Sequence, residues 1–284
     1  MNLEQLIILG LQASIFLTVF GYGLQATLAD VLYVVRRPAV LVRSLVAMLV
    51  IMPIVAVIIT ELFEFHLPVE IALVALAISP IPPLLPQRVV KAGGEASYGL
   101  GLMATAAIVS IVFIPLAVRV IGRFFGAPLA IGPGAVARLA LVTVLVPLAA
   151  GIGFRAVASR LAERIAKPVG LIAIVVLAFG AVAVLIAALP EVLALVGNGT
   201  IVVIVAFVVL GLAVGHLLGG QERNDQIALA ISTACRHPAI ALAIANATYP
   251  QEKLVGGAIL LYLVLNILVS IPYVRWQRLK SGEK

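Results

Sequence analysis

Apolar residues come in long uninterrupted blocks along this chain, organised neither by the two-residue alternation of strands nor by the one-sided stripe of water-facing helices. Charge, proline or glycine marks off nine blocks, at 3–26, 39–63, 68–92, 95–124, 131–158, 166–189, 193–219, 225–248 and 251–275. About 20 apolar residues in a helix cross the hydrocarbon of a bilayer, so each block is long enough for one span. The pattern predicts an all-α polytopic membrane protein with about nine transmembrane helices. Between the first two blocks, "TLADVLYVVRRP" is too polar to span and is expected to lie at the interface.

Composition agrees. The 284 residues are 63% hydrophobic and 11% charged, with a mean hydropathy of +1.23, which leaves no room for a separate water-soluble domain. A net charge of +7 would in a soluble chain raise nucleic acid as a partner, but here placement excludes it. Fourteen of the 19 Lys and Arg residues, from Arg36 to Lys284, fall on one side of the nine spans, here called side one. Only Arg119, Arg123, Arg138 and Lys253 fall on side two, and Arg236 lies within a block. Cytoplasmic loops carry such an excess, so a cytoplasmic C-terminus, an outside N-terminus and a multi-pass location in the cell (inner) membrane are expected. Tyr273 and Trp276 beside Arg275 fit an interfacial anchor at that face, and His216 also reads as interfacial. The first block has no basic residue before it and no cleavage pattern, so it reads as a retained helix. Cys235 is the single cysteine and excludes an internal disulfide.

Two blocks are interrupted. The third, "LPVEIALVALAISPIPPLLPQRVVKAGG", clusters Pro80, Pro82, Pro83 and Pro86, and a continuous helix cannot pass through them. Pro82 or Pro83 is expected in the first turn of a new half-helix. The eighth, "DQIALAISTACRHPAIALAIANATYP", places Pro238 behind Arg236 and His237. Paired breaks five blocks apart point to a transporter of two inverted repeats, with residues 1–124 as the first, 125–165 as an unpaired fifth helix and 166–284 as the second. Pro53, Pro115 and Pro147 also fall inside blocks, where neighbouring helices can satisfy an ordinary kink.

The breaks carry the candidate chemistry. A half-helix beginning at mid-membrane turns unsatisfied N–H groups and partial positive charge to that depth. Arg236 stays charged and costs at least ~2.5 kcal/mol in the bilayer centre unless it is paired or meets water. An anionic substrate would compensate it; so would carbonyls of the broken helices, or Asp225 or Glu95. Candidate substrate-binding residues are Pro82, Pro83, Ser232, Thr233, Arg236, His237 and Asn266. His237 and Glu95 are candidates for proton coupling, with a purely structural His237 equally compatible. Ser232 and Thr233 either line a cavity or bond back to the preceding turn, and Asn266 either joins helices or meets substrate. Neither a cofactor nor a metal site is indicated.

"FGYGLQATLADVLYVVRRPAVLVRSLVAMLVIMPIVAV", "LPVEIALVALAISP" with the proline cluster, and "ISTACRHPAIALAIA" together resemble the bile acid:sodium symporter family. The resemblance implies a panel of the first, fifth and sixth spans and a core of the other six in which the broken helices cross. It also implies organic-anion substrates, bile acids or small carboxylates, moved by alternating access with sodium. The chain departs from the family at the sodium positions. Those of the first crossing and its neighbours fall on Leu85, Pro86, Gly99, Met103 and Met48, those of the second on Ser232 and Arg236. Hard cations need several oxygen ligands, which these side chains largely lack. A carrier of a small organic anion independent of sodium, proton-coupled or passive, is therefore expected, with sodium-coupled symport as the family alternative. An anion channel is a further alternative. An intramembrane enzyme built on Cys235, His237 and Glu95 is disfavoured, because nothing places a nucleophile, base and orienting group together.

Overall fold

A computed structural model describes residues 3–124 and 132–281. The expected start of the fifth span at 131, the proposed boundary at 125 and Lys284 lie outside those residues. Among the described residues the elements are helical, and nine helical segments follow in order. They are α1 (Leu3–Gln25), α2 (Pro38–Leu62), α3a (Leu67–Ile78) with α3b (Leu85–Lys91), and α4 (Ala96–Phe124). Then come α5 (Pro133–Val157), α6 (Ser159–Ala187), α7 (Thr200–Leu218), α8a (Arg223–Ala234) with α8b (Pro238–Thr248), and α9 (Val255–Ser281). Eight are long and apolar enough to cross a membrane as they stand. The 12-residue α3a is too short to cross by itself.

Three boundaries differ from those the hydropathy marks. The helix of α6 begins at Ser159 and runs through Arg160, Glu163, Arg164, Lys167 and Pro168; charge ends contact with lipid, but Arg, Glu and Lys remain good helix formers. α7 starts only at Thr200, because Gly197, Asn198 and Gly199 all take positive φ and form a left-handed turn that no apolar helix traverses. α9 continues past Pro272 to Ser281, its basic last turn complementing the C-terminal end of the helix dipole. Proline also reshapes α2 and α5. The stretches Val46–Ile51 and Leu141–Leu145 are π-helical, and each lies just ahead of a proline, Pro53 and Pro147.

Small residues set the packing. α1 lies along α5 and α6, and a Cβ on Gly23 would sit 2.8 Å from the Gly151 Cα of α5. Gly211 and Gly215 of α7, and Gly219 just past its end, face Ala234, Ala230 and Gln226 of α8a, so these two backbones touch. The main buried cluster joins α2, α3, α4, α7, α8 and α9. A second one, with Val19 of α1, Met103 and Ala107 of α4 and Val144 of α5, seams the two groups together. Between α1 and α2 the connector is latched to the second group. Arg37 stacks on the Tyr33 ring and meets Asp225 of α8a at 3.5 Å, so that carboxylate is engaged with Arg37 rather than with Arg236.

Candidate functional site

α3a ends at Ile78 and Ser79 turns extended, since a residue before proline disfavours the helical region. Pro82 and Pro83 lie in the connecting turn; contrary to the expectation that one of them starts the half-helix, α3b begins at Leu85 and Pro86 occupies its first turn. In the eighth span Cys235 is extended, His237 caps the new helix and Pro238 opens it. The two breaks meet: the His237 backbone N–H donates to the Pro80 carbonyl at 2.8 Å and to Ser79 Oγ at 3.1 Å.

Arg236 is 1% exposed. Its Nη1 donates to the Met48 carbonyl at 3.2 Å and the Ser79 carbonyl at 3.4 Å. Both acceptors are products of backbone irregularity. In the π-helical stretch of α2 the Met52 N–H bonds five residues back, to Ala47. The next pair in that register would join residue 53 to Met48, and Pro53 has no N–H to give. Ser79 lies where α3a has already ended. The guanidinium therefore holds two orphaned carbonyls, as a small cation would. Its Nε and Nη2 have no hydrogen-bond partner among the described residues.

The other predicted residues have partners of their own or none among the described residues. His237 Nδ1 accepts the Ile240 N–H at 3.4 Å, which leaves the proton of the neutral ring on the buried Nε2, an atom with no partner among the described residues. Glu95 takes the Ser97 N–H at the start of α4, and no bond joins it to His237. Ser232 Oγ bonds back to the Ala228 carbonyl at 2.6 Å, while the buried Thr233 Oγ has no partner among the described residues. Asn266 donates to the Ala234 carbonyl at 2.8 Å and accepts from Arg88 Nη1 at 2.5 Å. Arg88, grouped by the sequence with the loop cations, thus turns inward from α3b and also reaches Cys235 Sγ and Ser270 Oγ. The signal for it was Asn266 and Ser270, four residues apart on one face of α9. Met48 and Leu85 are fully buried, and Met103 lies in the seam between groups. A Cβ on Gly99 would meet the Pro86 backbone at 3.2 Å.

A cavity of about 630 Å³ opens between α1, the beginning of α3b, the beginning of α4 and α6. Of the predicted site residues only Pro86 borders it; Tyr22, Gln25, Asp30, Gln87, Ser97 and Lys167 supply its polar groups. Asp30 is already committed, its carboxylate accepting the Thr27 N–H at 2.7 Å, the Thr27 hydroxyl at 2.6 Å and the Ser97 hydroxyl at 2.8 Å. Partial burial pushes this carboxyl up, but those bonds and the Arg155 charge outweigh it and hold it below the usual carboxylate range. A depressed value means that its stabilisation is complete above the ordinary carboxylate range and is lost as pH falls through the lowered one. Asp30→Asn is expected to melt below the wild type at pH 7 and to converge with it as the pH drops under 4; a constant gap across a pH series of melting curves would contradict this.

Two helix interruptions joined by hydrogen bonds, in a described chain with eight helices long and apolar enough to cross a membrane, fit a polytopic membrane transporter. The chain belongs to the sodium bile acid symporter family, whose sequence profile matches residues 13–195. That match runs from α1 to just past the short helix Leu189–Ala194 that precedes α7, so the second break rests on the residues and geometry above. No curated protein matches the chain significantly.

Proposed function

We propose that this protein carries a small organic anion across the membrane by alternating access, without coupling to sodium, and that Arg236 supplies permanently the positive charge a bound cation would bring. The observation that carries this is the buried guanidinium on the Met48 and Ser79 carbonyls. Two like charges ~4 Å apart repel by about 4 kcal/mol at an effective dielectric of 20, so a sodium ion does not share that position with Arg236. The two helical groups act as panel and core, with the passenger entering between them, and the inverted repeats supply the two access states. The excess of basic residues sets side one in the cytoplasm. Coupling is to protons, through His237 or Glu95, or is absent; the Nε2 of His237, which has no partner among the described residues, supports the first.

Proteoliposomes holding purified protein test this with radiolabelled taurocholate and small carboxylates. Uptake is expected to run at the same rate with sodium or choline as the external cation. A tenfold or greater requirement for an inward sodium gradient would overturn the proposal, and large unitary currents in planar bilayers would replace the carrier with a channel.

A further inference from the structure

Four buried hydrogen-bond donors at the break between α8a and α8b have no partner among the described residues: Arg236 Nε and Nη2, the His237 Nε2–H and the Thr233 hydroxyl. Arg236 is 1% exposed and commits only Nη1, to the Met48 and Ser79 carbonyls. Nε and Nη2 form the side-on edge of the guanidinium, a rigid fork of two parallel N–H donors. No carboxylate pairs with Arg236 among the described residues: Asp225 meets Arg37, and Glu95 takes the Ser97 N–H. Arg88 brings a second guanidinium to the same break. It donates to the thiol of Cys235, next to Arg236 in the chain, to the Asn266 carboxamide and to the Ser270 hydroxyl, which are uncharged acceptors.

We infer that a halide ion binds the Nε–Nη2 fork of Arg236 as its counter-ion while no passenger is present, with the Thr233 hydroxyl and the His237 Nε2–H as further donors. The inference rests on the reading of Arg236 as the charge that serves the passenger, and adds what balances that charge between passengers. A guanidinium accepts no hydrogen bond, so whatever meets the fork must be an acceptor. A water molecule accepts from two donors, turns its own hydrogens on the rest and leaves the charge unpaired, which burial makes costly. A halide accepts from every direction and carries the missing charge. Size selects it over an organic acid: Arg236 is enclosed and does not line the cavity of about 630 Å³, so the fork takes an ion of atomic dimensions.

The test is thermal melting of the purified full chain, free of passenger, as choline chloride replaces choline sulfate at constant ionic strength. Sulfate stabilises folded chains in general by exclusion from their surfaces, so the background declines steadily along this series and a specific site shows as a saturable rise upon it. The wild type is expected to show that rise, and bromide to reproduce it. Arg236→Lys keeps the charge but loses the fork, and its half-saturating chloride concentration should be at least tenfold higher. Arg160→Gln removes an exposed charge of α6 and should stay within about twofold of the wild type. Wild-type crystals grown in sodium bromide give a second reading that needs no variant: an anomalous bromide peak in hydrogen-bond contact with Arg236 Nε and Nη2. A wild type without the saturable rise overturns the inference, as does a rise that Arg236→Lys keeps at the same concentration. Should Arg236→Lys not fold, a bromide peak at Arg236 supports the site and its absence there overturns it. Each overturning result leaves the carrier reading standing, since that reading fails on uptake into proteoliposomes and not on halide binding.

Discussion

Replacing Arg236 with glutamine is expected to reduce uptake of the carried anion at least tenfold while the melting temperature moves by only a few degrees. Two stability effects oppose one another. Removing the guanidinium deprives the Met48 and Ser79 carbonyls of a donor, and an unsatisfied buried acceptor costs about 1–3 kcal/mol. It also relieves the burial of a charge that no carboxylate pairs among the described residues, a cost that insertion scales set at ~2.5 kcal/mol or more. These nearly cancel, and a glutamine amide can restore one of the two bonds. The effect on the passenger has no such compensation. A guanidinium even ~8 Å from a bound carboxylate contributes about 2 kcal/mol at an effective dielectric near 20, roughly thirtyfold in affinity. Uptake and melting curves on the same preparation separate the cases. A large fall in melting temperature with normal uptake per folded molecule would make Arg236 a brace for the broken helices and nothing more.

The second large effect is at Gly215. A Cβ there would lie 2.5 Å from both the Ala230 Cα and the Leu229 carbonyl oxygen, backbone atoms that no rotamer can move. Gly215→Leu must therefore separate α7 from α8a, and with it displace the His237 and Arg236 end of the eighth span. Overpacking of this kind costs roughly 3 kcal/mol or more, a sizeable share of the ~5–15 kcal/mol that holds a folded protein together. Detergent extracts of Gly215→Leu are expected to lose the single symmetrical peak on size-exclusion chromatography. Gly153→Leu is the control, because nothing lies within 4 Å of a Cβ at Gly153, and it should elute as wild type. A monodisperse Gly215→Leu at normal yield would show that α7 and α8a are not held in backbone contact.

Much of the architecture was legible in the chain because lipid imposes a one-dimensional rule: a block of apolar residues must be a span. The rule sees contact with hydrocarbon rather than helix, so it placed the start of α6 at 166 although the backbone is helical from Ser159. The breaks were legible too, since proline acts locally. What Arg236 touches was not. Its Met48 acceptor depends on a π register in which Pro53 falls five residues on, a relation hidden in what looked like an ordinary kink. Lys167 and Arg88 were grouped with the loop cations for the same reason: each is unremarkable along the chain, and only the seating of α6 on α1, or of α3b against α9, gives it a partner or a cavity. The glycines at 211 and 215 of α7 and at 219 just past its end repeat every four residues and mark one face, but which helix they receive is a long-range fact.

The most direct measurement is the melting temperature of the purified protein as sodium chloride replaces choline chloride at constant ionic strength. A cation that binds the folded state adds RT ln(1 + [L]/Kd), about 1.4 kcal/mol at ten times its dissociation constant. With Arg236 holding the Met48 and Ser79 carbonyls, no sodium-specific rise is expected at any concentration. A saturable rise with sodium that choline does not produce would contradict the account.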